Sequence, residues 1–112
     1  MDKSQLAKNY LRTFSRRDAV ALRSLFAKNI TLRDWDQSAD GIDAVIAANQ
    51  GIFDEFSSIT VDILHCHESE EAVVVELRIE LTNEGESLSL LVTDIIGFDR
   101  DGMINFVRAY KG

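Results

Sequence analysis

Apolar residues recur at helical spacing early in the chain and at every second position in its last part. Leu6, Tyr10 and Phe14 lie four residues apart, which predicts a first helix with one buried stripe. Asp18 can cap a second, short helix, and Asp40-Gly41 introduces a third. The third helix carries a largely apolar stripe made of Ile42, Val45, Ile46, Asn49 and Phe53.

Alternation of apolar and polar residues predicts one early strand and, later, a run of strands. The early strand covers 30–35 and is followed by a polar loop at 36–40. The later strands are predicted at 59–64, 72–81, 88–98 and 103–110, with polar turns between them. This order predicts a single α+β domain over residues 1–112, in which helices cover the concave face of a curved sheet and leave a pocket.

Asp94 interrupts an otherwise apolar strand face. With a period of two, it shares that face with Leu88, Leu90, Val92, Ile96 and Phe98. An unpaired carboxylate in such a place costs several kcal/mol, so we expect it to be paired, hydrated or kept protonated. Each of these outcomes bears on what the chain does.

Composition and charge exclude several classes of function. The net charge of −7 argues against a general nucleic-acid binder and against docking on an anionic membrane, since both require basic surfaces. Cys66 is the only cysteine, which excludes an internal disulfide and a thiolate-rich metal site. The first residues lack the apolar core of a secretory signal, and no apolar run approaches the roughly 20 residues of a membrane span, so we expect a cytoplasmic protein.

Several segments together resemble the nuclear transport factor 2-like (NTF2-like) superfamily, and within it the SnoaL-like and ketosteroid isomerase-like proteins. The resemblance rests on Tyr10, on the Asp18 to Phe26 segment, on Asn29-Ile30-Thr31-Leu32-Arg33-Asp34, on Gly41-Ile42, on the 92–99 segment and on Asp101-Gly102-Met103-Ile104. It implies an NTF2-like cone (a cystatin-like α+β roll) with an internal pocket. It leaves activity open, because the superfamily includes isomerases, cyclases and non-catalytic modules.

The ketosteroid isomerase-like pattern implies a catalytic trio of Tyr10, Asp34 and Asp94. Asp34 would be the base that removes a proton beside a carbonyl, while Tyr10 and a protonated Asp94 would donate hydrogen bonds to the enolate oxygen. The neutral aspartic acid of ketosteroid isomerase is itself a known example of such a donor. The periodicity independently places all three residues on the inward faces of their elements.

The ligand implied by this resemblance is a small hydrophobic carbonyl compound, with no cofactor and no metal. We expect the pocket to be small in so short a chain. Its predicted lining consists of Phe14, Trp35, Phe53, Leu90, Val92, Phe98 and Val107.

Structural roles for the same residues remain open at this point. Asp94 could be a buried acid hydrogen-bonded to Tyr10 or to a backbone amide, and Asp34 could be a solvated acid at a strand end. The chain would then be a non-catalytic ligand-binding or dimerisation module, or a subunit that assembles with a larger enzyme.

Two further patterns concern the surface. Leu91, Thr93 and Ile95 lie opposite to the Asp94 face and, with Val74, need cover, which predicts a homodimer through the outer sheet face. His65 and His67 share one strand face, but two imidazoles do not make a metal site, and we expect them to lie at the sheet surface.

Overall fold

The computed structural model describes residues 2–112, which form three helices and one six-stranded sheet. The helices are α1 (Lys3–Ser15), α2 (Ala19–Leu25) and α3 (Ile42–Glu55). The strands are β1 (Phe26–Arg33), β2 (Ser38–Asp40), β3 (Ser58–Glu68), β4 (Ala72–Asn83), β5 (Glu86–Phe98) and β6 (Ile104–Lys111). No helix within this part of the chain is long and apolar enough to cross a membrane.

The strands lie in the order β2-β1-β6-β5-β4-β3. The pairs are antiparallel except for β1 and β6, which run parallel. The sheet is curved and open, and helices cover its concave face, as expected for the NTF2-like α+β cone. The sequence-based prediction of the fold class is therefore confirmed.

Side-chain caps fix where the first two helices begin. The Asp2 carboxylate accepts a hydrogen bond from the Gln5 backbone N–H at 2.8 Å, and the Gln5 side chain accepts one from the Asp2 N–H, which completes a capping box. Asp18 caps α2 through the Ala21 N–H at 3.0 Å, as predicted. These caps satisfy backbone N–H groups that the first turn of each helix leaves without a helical partner.

The core lies between the helices and the concave face of the sheet. α1 packs across β3 and β4, and α3 packs against β1. The most deeply buried side chains are Leu22, Ile30, Val45, Val73, Val75, Ile96 and Ile104. Burial of this apolar surface is the main favourable term in folding.

Three strands differ from the sequence-based prediction. β1 begins at Phe26, directly after α2, and ends at Arg33, so Asp34 and Trp35, which were predicted to belong to this strand, follow it. β2 lies inside the predicted polar loop, where it pairs with the end of β1. β3 continues to Glu68, because an irregularity in its pairing between Ile63 and His65 absorbs one extra residue and restores the alternation.

Candidate functional site

A cavity of about 630 Å³ lies between the concave face of the sheet and helices α1 and α3. Its wall is mostly apolar and includes Leu32, Ile52, Val61, Leu77, Ile79, Leu81, Leu90 and Val92. Ligand sites usually measure about 300–1,000 Å³, so this cavity can hold a drug-sized molecule. It is larger than the sequence led us to expect.

Tyr10 reaches the cavity from α1. It is only 4% exposed, and its ring packs against the rings of Phe14 and Phe26, with centroids 6.3 and 6.0 Å away. Burial, and then the charge of Asp94, raise the pKa of the Tyr10 hydroxyl far above its usual range. The hydroxyl therefore keeps its proton and remains a hydrogen-bond donor.

Asp94 reaches the cavity from β5, where it stands between Val75 of β4 and Ala109 of β6. It is 8% exposed. Burial, and then the charge of Asp34, raise the pKa of the Asp94 carboxyl to about 7. This carboxyl is therefore largely protonated at mildly acidic pH, although aspartic acid is ordinarily ionised there.

Asp34 lies just after β1, half-buried in the cavity wall. Its Oδ1 accepts hydrogen bonds from the backbone N–H groups of Asp36 and Gln37, at 2.8 and 2.9 Å. The Asp34 N–H in turn donates to the Gln37 carbonyl at 3.0 Å. This local network fixes the loop and the orientation of the Asp34 side chain, because charged acceptors bind N–H donors strongly.

The cavity thus brings together all three residues of the predicted trio. Within residues 2–112, the Asp94 carboxyl forms no hydrogen bond with Tyr10 or with a backbone amide, which were the partners expected for a purely structural acid. A buried acid facing a cavity without a protein partner is free to bind a ligand. The catalytic role of the trio stays a prediction.

Most of the predicted lining residues also reach the cavity. Those that do are Phe14, Trp35, Leu90, Val92 and Val107. Trp35 is substantially exposed as well, which places it at the opening, and the Lys111 Nζ lies 5.6 Å from its ring centroid.

Phe53 and Phe98 lie elsewhere, although both are buried. The ring of Phe53 packs edge-on against Phe14, with centroids 5.3 Å apart, so it supports the wall from behind. Phe98 ends β5 and borders a separate depression beside Phe106. Inward periodicity correctly indicated that both are buried, but it could not show where the cavity stops.

Asn49 is a cavity residue to which the sequence analysis gave no role. It lies in the stripe of α3, is 3% exposed and lines the cavity. Its Nδ2 is buried without an acceptor in the described part of the chain. The signal was present in the sequence, since Asn49 is a polar residue in an apolar stripe, as Asp94 is on its strand.

Comparison with known proteins decides the family. The family model for the SnoaL-like domain matches residues 7–107. The chain belongs to the SnoaL-like domain family. No curated protein matches the sequence significantly.

Solved structures show the same fold at low sequence identity. A candidate SnoaL-like polyketide cyclase from Shewanella denitrificans OS-217 superposes with a TM-score of 0.88 at 16% identity, over 98% of this chain and 90% of that one. SalBIII, an epoxide hydrolase/cyclase-like enzyme of pyran ring formation in salinomycin, superposes with a TM-score of 0.81 at 18% identity, over 98% of this chain and 90% of that one. An LEH-like epoxide hydrolase from M. tuberculosis superposes with a TM-score of 0.85 at 15% identity, over 96% of this chain and 80% of that one.

The two histidines lie on β3, away from the cavity. His65 and His67 of β3 pair with Glu76 and Val74 of β4, and the His67 Nε2 lies 2.7 Å from the Glu76 Oε2. Both imidazoles lie at the sheet surface, as expected. Among residues 2–112 there is no group of three or more His, Cys, Asp or Glu side chains placed to hold a metal ion.

Proposed function

We propose that this SnoaL-like domain is a small enzyme that moves a proton next to a carbonyl group, in an isomerase- or cyclase-type reaction. The observation that carries the proposal is the buried, unpaired Asp94 carboxyl with a pKa near 7, facing an apolar cavity that it shares with Asp34. Two carboxyl groups in unlike environments suit opposite roles in proton transfer.

Asp34 is the base in this proposal. Its carboxylate takes a proton from the carbon beside the ligand's carbonyl, the C–H electrons form the enolate double bond, and the carbonyl oxygen gains the negative charge. The proton on Asp34 then returns to another carbon, which gives an isomer. Alternatively, the enolate carbon attacks a second carbonyl carbon of the same molecule and closes a ring, the electrons of that C=O bond pass to its oxygen, and this oxygen takes the proton from Asp34. Atoms and charge balance without a cofactor.

Tyr10 and the protonated Asp94 are the donors to the enolate oxygen. Each is a neutral O–H group in an apolar wall, where a hydrogen bond to developing negative charge is stronger than in water. The enolate forms only during the reaction, so these bonds favour the transition state over the bound substrate. The ligand that fits the apolar wall is a small hydrophobic carbonyl compound.

The names of the structural relatives are compatible with this proposal. One is described as a candidate polyketide cyclase, one as a cyclase-like enzyme of ring formation and one as an epoxide hydrolase. Those activities belong to those proteins, and at 15–18% identity they support the fold alone.

The competing proposal is a ligand-binding module without catalysis. It uses the same cavity and the same donors, but gives Asp34 only the structural task of holding the loop at Asp36 and Gln37. The two proposals therefore differ in what the free oxygen of Asp34 does.

Deuterium incorporation separates the two. In D2O, a base that removes α-protons exchanges them for deuterium in simple ketones such as acetophenone, which NMR follows without knowledge of the natural substrate. We expect exchange catalysed by the wild type to fall by at least about 100-fold in Asp34→Asn. Asp40 is an exposed carboxylate in β2, outside the cavity wall, so Asp40→Asn should retain the wild-type exchange rate. Bound ketone without catalysed exchange in the wild type would favour the binding module.

We also propose that two copies pair through the outer sheet face. This face comprises Val74, Glu76, Leu91, Thr93, Ile95, Arg108 and Tyr110, which the strand register places side by side on the convex surface. Leu91 and Tyr110 are at least half exposed, although an isolated chain gains nothing from exposing large apolar groups in one patch. The cytoplasmic location stays a prediction from the sequence.

A further inference from the structure

Asn49 is a deeply buried polar residue of the cavity wall that the proton-transfer scheme does not use. It projects from the apolar stripe of α3, between Val45 and Phe53, and is buried as deeply as they are. Its Nδ2 has no acceptor within residues 2–112, although a buried amide donor without a partner destabilises the fold. A leucine of nearly the same size would fill this position without that cost.

The position of Asn49 in the cavity wall offers a reason for an amide there. Its nearest polar neighbour on α3, Gln50, points to the surface and donates to Asp54 at 2.8 Å. The Asn49 side chain has no such exposure to the surface and no such acceptor within the described residues. Rotation of the amide about its last side-chain bond exchanges Oδ1 and Nδ2, so either end can be turned to a bound molecule.

The charges of the cavity wall restrict what that molecule can carry. Four carboxyl residues line the cavity, namely Asp34, Asp36, Glu55 and Asp94, and no lysine, arginine or histidine lies among its described lining residues. A carboxylate or phosphate group bound inside the cavity would meet like charges in a wall of low polarity, since the Lys111 ammonium lies beside Trp35 at the opening and not among the lining residues. An uncharged oxygen therefore suits this wall better than an anionic one.

We propose that Asn49 is the second polar contact of the cavity, binding an uncharged oxygen of the substrate that is distinct from the carbonyl held by Tyr10 and Asp94. The inference deepens the proposed function and rests on it. It narrows the substrate class to neutral hydrophobic carbonyl compounds that carry a further ketone, ester, ether or hydroxyl oxygen. Asn49 is a positioning and specificity residue in this scheme.

Phenols of matched shape test this contact, because the phenol oxygen occupies the site of the enolate oxygen. At each ring position, an acetylphenol carries an uncharged oxygen, the isopropylphenol is its apolar counterpart and the hydroxybenzoate is its anionic counterpart. Calorimetric titration at pH 6 gives the affinity of each for the wild type and Asn49→Leu. Gln50→Leu is the matched control, since it makes the same change on the exposed face of α3.

At one ring position at least, we expect the wild type to bind the acetylphenol with about tenfold higher affinity than the isopropylphenol, because it gains a single hydrogen bond. Asn49→Leu should lose this preference and keep its affinity for isopropylphenol, whereas Gln50→Leu should behave as the wild type. The hydroxybenzoates should bind most weakly to all three proteins. The melting temperature of Asn49→Leu should equal or exceed that of the wild type, since no protein hydrogen bond is lost.

A preference for acetylphenol that persists in Asn49→Leu, or that is missing from the wild type at every ring position, would overturn the inference. A lowered melting temperature of Asn49→Leu would overturn it as well, because Asn49 would then be structural. If the wild type still binds isopropylphenol in these cases, the proposed function is not contradicted. If the wild type binds no phenol, the proposed function fails, and the inference fails with it.

Discussion

Asp34 and Asp94 face one cavity from different elements, and they are held in opposite surroundings. Asp34 accepts two backbone hydrogen bonds at the edge of the sheet, while Asp94 is buried among apolar side chains. Burial of Asp94, together with the charge of Asp34, raises the pKa of Asp94 to about 7. The pair therefore joins a buried carboxyl that retains its proton to unusually high pH with a second carboxyl that is anchored to the backbone of its loop.

The raised pKa of Asp94 predicts a pH dependence of stability. An unfolded aspartic acid titrates near pH 4, so between about pH 4 and pH 7 the folded state holds a proton that the unfolded state has released. The contribution of Asp94 to the free energy of unfolding should thus be smaller above pH 7 than at pH 4, by on the order of 4 kcal/mol. Urea unfolding across this range should show that loss for the wild type relative to Asp94→Asn. A constant difference between the two proteins would contradict a protonated Asp94.

Removal of the Asp34 charge should lower the pKa of Asp94. In Asp34→Asn the like charge is gone while burial remains, so the pKa of Asp94 should fall but stay above that of a free aspartic acid. Carboxyl carbon NMR follows the titration directly. Asp40→Asn, whose carboxylate is exposed on β2, should leave the pKa of Asp94 unchanged. An unchanged value in Asp34→Asn would show that the two groups do not interact.

A charge placed on the outer sheet face should dissociate the proposed homodimer. Leu91 lies on β5, the central strand of that face, and is half exposed in the single chain, so Leu91→Lys would bury an unpaired ammonium group at the interface. Val20 on α2 is also exposed and apolar but lies off the sheet, which makes Val20→Lys the matched control. Analytical ultracentrifugation should find dimers of the wild type and of Val20→Lys, and monomers of Leu91→Lys. Monomeric wild type at micromolar concentration would remove the proposal.

Gly97 and Gly51 should respond in opposite ways to substitution by alanine. A Cβ on Gly97 would overlap the ring of Phe106, its cross-strand partner on β6, so Gly97→Ala should destabilise the fold by about 1–3 kcal/mol. A Cβ on Gly51 in α3 meets no atom, so Gly51→Ala should stabilise by about 0.4–1 kcal/mol. Chemical denaturation measures both. Equal stability of Gly97→Ala and wild type would show that the Phe106 ring moves aside freely.

Much of the fold could be predicted because its elements have clear periods. The alternation in β4 and β5 and the stripes of α1 and α3 are long enough to fix both element type and inward face. β2 was not predicted because its three residues are too few to show a period, and only pairing with β1 makes it a strand. The parallel pairing of β1 with β6 is a tertiary feature that no local pattern contains.

The site was predictable where a polar residue broke an apolar face. Asp94 was located in this way, whereas Tyr10 and Asp34 were predicted from the family resemblance, and Asn49 carries the same signal as Asp94 in α3. Phe53 and Phe98 show the limit, since inward periodicity indicates burial but does not distinguish the cavity wall from the solid core behind it.

The central claim is that Tyr10 and a protonated Asp94 donate hydrogen bonds to one ligand oxygen, and a phenol titration as a function of pH tests it most directly. Simple alkylphenols remain neutral up to about pH 9, so a change in affinity between pH 5.5 and pH 8.5 reports on the protein. We predict micromolar binding by the wild type at pH 5.5 and at least about tenfold weaker binding at pH 8.5, where Asp94 is ionised. Asp94→Asn should bind equally at both pH values, and Tyr10→Phe should bind weakly at both. Wild-type affinity that is independent of pH and unchanged in both variants would contradict the account.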